Sequence, residues 1–234
     1  MLSYERRLWA SSPAIILAGV DEAGRGCLAG PVVAGAVSMP PERAEELYAG
    51  PLAGLTDSKQ LTPAQREQFF AQLTQADGVA WGVGAATAQE IDRLNILVAT
   101  HTAMRRAIAA LPVKADHALV DGLAVKGLPC PSTPIVRGDS KSFLIAAASV
   151  IAKVSRDRLM RTLHAQYPHY GFDANKGYGV SEHIAALHKH GPCPEHRRTF
   201  RPVQDVEQRL PGFGGWDGGD AGDCFFRLKS TDGD

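Results

Sequence analysis

No stretch of about 18 apolar residues occurs in the chain, so no membrane-crossing helix is expected. The four cysteines stand at 27, 130, 193 and 224, widely spread and with no C-x-x-C pair. That spacing argues against a disulfide framework and for free thiols in a reducing compartment. Nor is Met1-Leu2-Ser3-Tyr4-Glu5-Arg6-Arg7 followed by the apolar region and small-residue cleavage site of a secretory signal, so a cytoplasmic location is expected. There is also no excess of either charge, with 25 Lys+Arg against 25 Asp+Glu. The balance hides an asymmetry. Residues 1–136 hold 11 cations and 13 acids, residues 137–209 hold 12 and 7 with six histidines, and residues 210–234 hold 2 and 5. The basic stretch fits an anionic partner, although solvated surface explains it equally well.

What is present is ordinary for a globular protein: 44% hydrophobic and 21% charged residues over 234 positions, enough for one good-sized domain. Apolar residues 14–21 and 31–38 read as two strands joined by the glycine-rich stretch 22–30, a hairpin with a broad loop. A helix over 63–75 is expected, with Thr62 as its cap and Pro63 in its first turn. A third strand is expected over 79–85, and a long helix over 88–110 with Ile91, Leu94, Leu97, Val98 and Met104 near helical spacing. Ala118-Leu119-Val120 and Ile135-Val136 read as short strands that run into Asp121-Gly122 and Arg137-Gly138-Asp139. A helix from Ser142 to Gln166 begins so apolar that it must be central, and a short helix follows near 181–189. Strands alternating with helices give an α/β chain with a mixed sheet. The expected division is a catalytic core over 1–165, a helix and loop element over 166–209 and a Gly/Asp-rich tail over 210–234.

Asp21-Glu22-Ala23-Gly24-Arg25-Gly26 carries the most information. Two carboxylates end a buried apolar run, which costs several kcal/mol unless a cation meets them. Mg²⁺ suits such a site, because a few carboxylates and a substrate phosphate satisfy it. Asp121 and Asp139 also end apolar runs beside glycine. An Asp-Gly pair alone is usually a turn. Four acids at the ends of strands in one sheet point to a shared edge and to two-metal phosphate chemistry.

The same residues resemble the signatures of ribonuclease HII. Gly19-Val20-Asp21-Glu22-Ala23-Gly24-Arg25-Gly26 is similar to the family's opening motif. Asp57-Ser58-Lys59, Asn95-Ile96-Leu97, Val120-Asp121-Gly122 and Gly138-Asp139-Ser140-Lys141-Ser142 match it too. So do residues 146–154 with Arg156-Asp157, then Lys176-Gly177-Tyr178, and His196-Arg197 before Phe200. The resemblance spans about 14–203. It implies a ribonuclease H-like fold: a mixed central sheet flanked by helices, with a small C-terminal helical element. It implies an endonuclease that cuts the RNA strand of RNA–DNA hybrids and incises 5′ of ribonucleotides embedded in duplex DNA, acting as a monomer with Mn²⁺ or Mg²⁺. It assigns catalysis and metal binding to Asp21, Glu22, Asp121 and Asp139. Gly24-Arg25-Gly26 would sense the ribose 2′-hydroxyl, and Tyr178 would stack on the next deoxyribose. Lys59, Lys141, Lys176, Arg197 and Arg198 are candidates for backbone phosphate contacts, although each alone is more often solvated surface. Asp157 reads instead as a helix ion-pair partner, and Ser142 as a helix cap.

Other readings fit less well. Gly24-x-Gly26-x-x-Ala29 matches a dinucleotide fingerprint, but Pro31-Val32-Val33 reads as strand where a helix should start. His188, His190, Cys193 and His196 are zinc-type ligands without paired-knuckle spacing. A non-catalytic hybrid-binding module would not need the full set of acids. Phe225-Phe226 in the tail could dock on a replication sliding clamp, as in some family members, although the segment matches poorly.

Overall fold

The computed structural model describes residues 1–209. In chain order these form α1 (Ser3–Ser11), β1 (Leu17–Ala23), β2 (Val32–Ser38), α2 (Pro41–Ala49), α3 (Pro63–Gln75), β3 (Ala80–Ala86), α4 (Ala88–Leu94), α5 (Ile96–Ala109), β4 (His117–Asp121), β5 (Ser132–Ile135), α6 (Phe143–Gln166), α7 (Phe172–Asn175), α8 (Ser181–His190) and α9 (Arg201–Arg209). The strands form one mixed sheet in the order β3-β2-β1-β4-β5. β2 pairs antiparallel with β1 and β3, while β4 lies parallel to β1 and β5.

Small residues let the helices sit close to the sheet. A Cβ on Gly19 of β1 or on Gly35 of β2 would lie 2.1 Å from the Leu144 carbonyl carbon or 2.5 Å from the Ala148 oxygen of α6. α5 presses the other face, where a Cβ on Gly84 would stand 2.3 Å from the Ala103 oxygen. α6 is therefore the inner helix, with Phe143 through Ala152 all buried. Each large apolar side chain there contributes about 1.5–3 kcal/mol of burial. Ser142 caps α6 by accepting from the Ile145 amide at 3.3 Å. α3 carries the Thr62–Gln65 capping box.

Three features depart from the sequence reading. The single helix over 88–110 is two helices, because Asn95 adopts φ 68° and its side chain accepts from the Val98 amide at 3.1 Å to cap α5. Asparagine caps well, so the periodic pattern survives while the helix breaks at a residue whose backbone (ψ 162°) is strained. β1 starts at Leu17 and runs on to Ala23, so Asp21 and Glu22 lie within the strand. α1, α2, α7 and α9 had no expectation. The buried stripe of α1 includes an acid, Glu5, which hides it from a hydrophobic pattern. The Glu5 carboxylate accepts from the Ser142 hydroxyl at 2.6 Å and the Leu144 amide at 3.0 Å, and so pins α1 to the start of α6. Burial pushes its pKa up.

Candidate active site

The parallel pairing of β1 with β4 sets Val20 opposite Val120, so Asp21 and Asp121 leave adjacent strands at one level. Asp139 joins them from the one-turn 3-10 helix Gly138–Ser140, between β5 and α6. That turn is anchored on the site itself, because the Gly138 amide donates to Asp121 Oδ1 at 2.6 Å. Arg137 enters the turn at φ 56°, a backbone cost that this anchoring helps to hold. Oxygens of Asp21, Asp121 and Asp139 lie within 4.8 Å of one another, the one such group among the described residues.

The electrostatics are those of unmet negative charge. Burial, then Glu22 and Asp121, hold the Asp21 carboxyl well above its ordinary range, against one hydrogen bond from the Glu22 amide at 2.7 Å. Burial, then Asp121 and Asp57, raise Asp139. Burial pulls the Lys59 ammonium down, but Asp57, Asp21, Asp139 and Asp121 together hold it above its usual value. A buried, oxygen-only set of carboxylates that cannot all ionise alone fits a hard divalent cation.

Glu22 lies near enough to Asp21 and Asp121 for the charges to act on one another, and its carboxylate also pairs with Arg25 Nη1 at 3.3 Å. Burial raises its pKa and Arg25 opposes the shift.

Two buried arginines shape the loop after β1. Arg197 donates from Nη2 to the Gly24 carbonyl at 2.6 Å, from Nη1 to Arg25 at 2.8 Å and from Nε to Gly30 at 3.0 Å. Arg156 donates to the carbonyls of Pro31 at 2.9 Å, Ala29 at 3.1 Å and Lys176 at 2.8 Å. The expectation that Arg197 contacts phosphate is therefore corrected. Its side chain is 0% exposed, and the neutral carbonyls around it take its donors. Burial lowers its pKa to about 10. Arg156 had no role assigned from sequence. The signal was a cation one helical turn beyond the apolar run Phe143–Ala152.

The loop's glycines differ in kind. Gly24 has φ 92°, and a Cβ there would lie 1.9 Å from Arg156 Nε. Gly26 has open space around it, so no packing within the protein requires a glycine there. Tyr178 is 41% exposed across from this loop, with Lys153 Nζ 5.9 Å from its ring centre. Burial, and then Cys27 beside Gly26, raise its phenol pKa.

The remaining cations are peripheral to the acids. Lys59 is exposed and adjoins them; Lys141 donates to the Val136 carbonyl at 2.7 Å, and Lys176 to the Asp173 carbonyl. Arg198 pairs with Glu207. Asp157 bonds Lys153 at 2.7 Å as an i,i+4 ion pair, as expected. The zinc-type residues gather no metal set. His196 is buried against His183 and Cys193 instead. The chain after residue 26 continues as strand β2, without the helix a dinucleotide fingerprint requires. Phe225-Phe226 lies outside the described residues.

Comparison with known proteins agrees with this geometry. The family model described as Ribonuclease HII matches residues 18–203. The Ribonuclease HII of Dechloromonas aromatica (strain RCB) is 53% identical over 191 residues, covering 82% of this chain and 93% of that protein. The crystal structure of ribonuclease H2 from Pyrococcus horikoshii OT3 superposes with TM-score 0.69 at 29% identity, covering 83% of this chain and 98% of that one. A chain of the PCNA:RNase HII complex from Archaeoglobus fulgidus gives TM-score 0.65 at 25% identity, covering 80% and 96%.

Proposed function

The chain belongs to the ribonuclease HII family, and from that premise we propose how it works. It is a metal-dependent endonuclease that hydrolyses the RNA strand of RNA–DNA hybrids and cuts 5′ of ribonucleotides embedded in duplex DNA, leaving 5′-phosphate and 3′-hydroxyl ends. The observation that carries the reading is the meeting of Asp21, Asp121 and Asp139 beside a loop with open space at Gly26.

Asp21, Asp121 and Asp139 would hold Mn²⁺ or Mg²⁺, with Glu22 as the fourth carboxylate of the set. Such an ion would supply charge neutralisation at the scissile phosphate and lower the cost of forming the nucleophile and the leaving oxygen. The protein's own part is positioning. The carboxylates fix where phosphate sits. At Gly24-Arg25-Gly26 the backbone comes close enough for its amides to hydrogen-bond a 2′-hydroxyl, the one group that separates ribose from deoxyribose. Tyr178 stacks on the following sugar. Lys59, Lys141 and Lys176 bind backbone phosphates without reading sequence.

A labelled duplex carrying one ribonucleotide, incubated with Mn²⁺, Mg²⁺ or EDTA, tests the reading. Cleavage on the 5′ side that disappears in EDTA is expected; binding without cleavage in either metal would make the protein a non-catalytic module. The setting is cytoplasmic and the enzyme works as a monomer. Residues 223–228 are a candidate sliding-clamp contact, supported by the clamp complex of the Archaeoglobus fulgidus relative. Unchanged clamp binding after deletion of residues 211–234 would end that assignment.

A further inference from the structure

Among the described residues the proposed mechanism leaves two buried histidines unused, His183 (0% exposed) and His196 (1%). They form a chain with one possible polarity. The Cys193 amide donates to His196 Nδ1 at 3.0 Å, so that nitrogen is an acceptor. His196 Nε2 then carries the hydrogen and donates to His183 Nε2 at 3.0 Å. His183 Nδ1 in turn carries a hydrogen and donates to the Tyr178 carbonyl at 2.8 Å. A backbone donor at one end and a backbone acceptor at the other fix both rings as neutral and fix which nitrogen is protonated in each. The edge-to-face neighbours Tyr170, 4.7 Å from His196, and Phe172, 5.4 Å from His183, hold the rings in place.

The same segment also reaches the sugar-sensing loop. His196 bridges Ala29, the Arg197 amide donates to the Leu28 carbonyl at 2.8 Å, and the Arg197 side chain holds Gly24 and Arg25. On the Tyr178 side, the Leu28 amide donates to the Gly177 carbonyl at 2.8 Å. Lys176, a non-glycine residue, has φ 53°, so the backbone that presents Tyr178 carries a cost that its surroundings must hold.

We infer that His183, with its tautomer set by His196, is a positioning residue that fixes Tyr178 relative to Gly24-Arg25-Gly26, and thereby sets selectivity for a ribonucleotide followed by a deoxyribonucleotide. The inference rests on the reading of Tyr178 as the junction sensor.

Two substitutions separate positioning from mere filling of space. Asparagine places an N–H where His183 Nδ1 stands and keeps the Tyr178 contact. Glutamine places its amide near Nε2, keeping the His196 contact and losing Tyr178. The readout is kcat and KM on a duplex with one ribonucleotide against a uniform RNA–DNA hybrid, with thermal midpoints alongside. His183→Gln is expected to lower the single-ribonucleotide preference about tenfold, the loss of one good hydrogen bond, and His183→Asn to stay within about threefold of wild type. Should His183→Gln fail to fold, His196→Asn, which keeps Cys193 and loses His183, is expected to lower the preference in the same direction. Tyr178→Ala is the control. If it leaves the preference unchanged, the sensor reading falls and takes this inference with it. If Tyr178→Ala lowers the preference while His183→Asn and His183→Gln behave alike, the inference alone is overturned.

Discussion

Around Asp21 the buried charges face one another, whereas around Arg197 each guanidinium nitrogen faces a backbone carbonyl. The regions are neighbours, since Arg197 holds the carbonyls of Gly24 and Arg25, just after Asp21-Glu22. In the first, carboxylates are stranded in low dielectric with too few donors. In the second, a cation is buried and its donors are met. The contrast teaches how to read buried charge. Unmet charge marks where a ligand completes the protein, and satisfied charge marks scaffold that keeps the ligand site in shape.

The largest effect should come from breaking the unmet side. Asp21→Asn or Asp121→Asn is expected to cut kcat about a thousandfold while hybrid binding and folding persist, as gel shift and circular dichroism would report. A mutant within tenfold of wild type would remove these acids from the chemistry. Arg197→Ala attacks the satisfied side. It leaves three carbonyls without partners and opens a cavity, so a loss of about 3 kcal/mol in urea unfolding is expected, with Arg197→Lys recovering part of it. A loss under about 1 kcal/mol would mean that water replaces the guanidinium and that the scaffold reading is wrong.

The next effect is a pH dependence that only the unmet side should show. Burial, then Glu22 and Asp121, raise the folded pKa of Asp21. An acid raised on folding adds stability below its unfolded pKa of about 4, and that stability is lost as pH rises toward the folded value. A divalent cation competes with the proton, so the rise in thermal midpoint on adding Mn²⁺ should be larger at pH 8 than at pH 5. Equal rises at both pH values, or a rise unaltered in Asp21→Asn, would refute the assignment. The smallest effect is expected at the rim. Lys141→Ala should weaken hybrid binding a few-fold and reduce the salt slope by about one, with kcat nearly unchanged. A large fall in kcat would place Lys141 inside the chemistry.

Much of this was legible in the chain because it is written locally. Apolar runs broken by glycine gave the strands, and Thr62-Pro63 and Ser142 announced α3 and α6. Asn95 was legible as a cap in principle, but the apolar spacing on both sides of it read as one helix. Glu5 was not legible, because its partners Ser142 and Leu144 lie more than 130 residues away. Arg197 was misjudged for a similar reason. A cation in a basic stretch is normally solvated, and nothing local says that three carbonyls from residues 24–30 surround it.

The sequence by itself determined which residues could carry the chemistry: acids placed after apolar runs, and a glycine-rich loop beside the first pair. Periodicity and chain stiffness act over a few residues, so local order suffices for that. The tertiary structure alone decided which acids meet. Parallel pairing of Val20 with Val120 brings Asp21 to Asp121, a tight turn adds Asp139, and the loop after β1 folds Arg25 back onto Glu22. It also decided which charges are buried and which histidine nitrogens carry hydrogen. Both depend on partners distant in the chain, and burial changes the cost of a charge more than the identity of its sequence neighbours does.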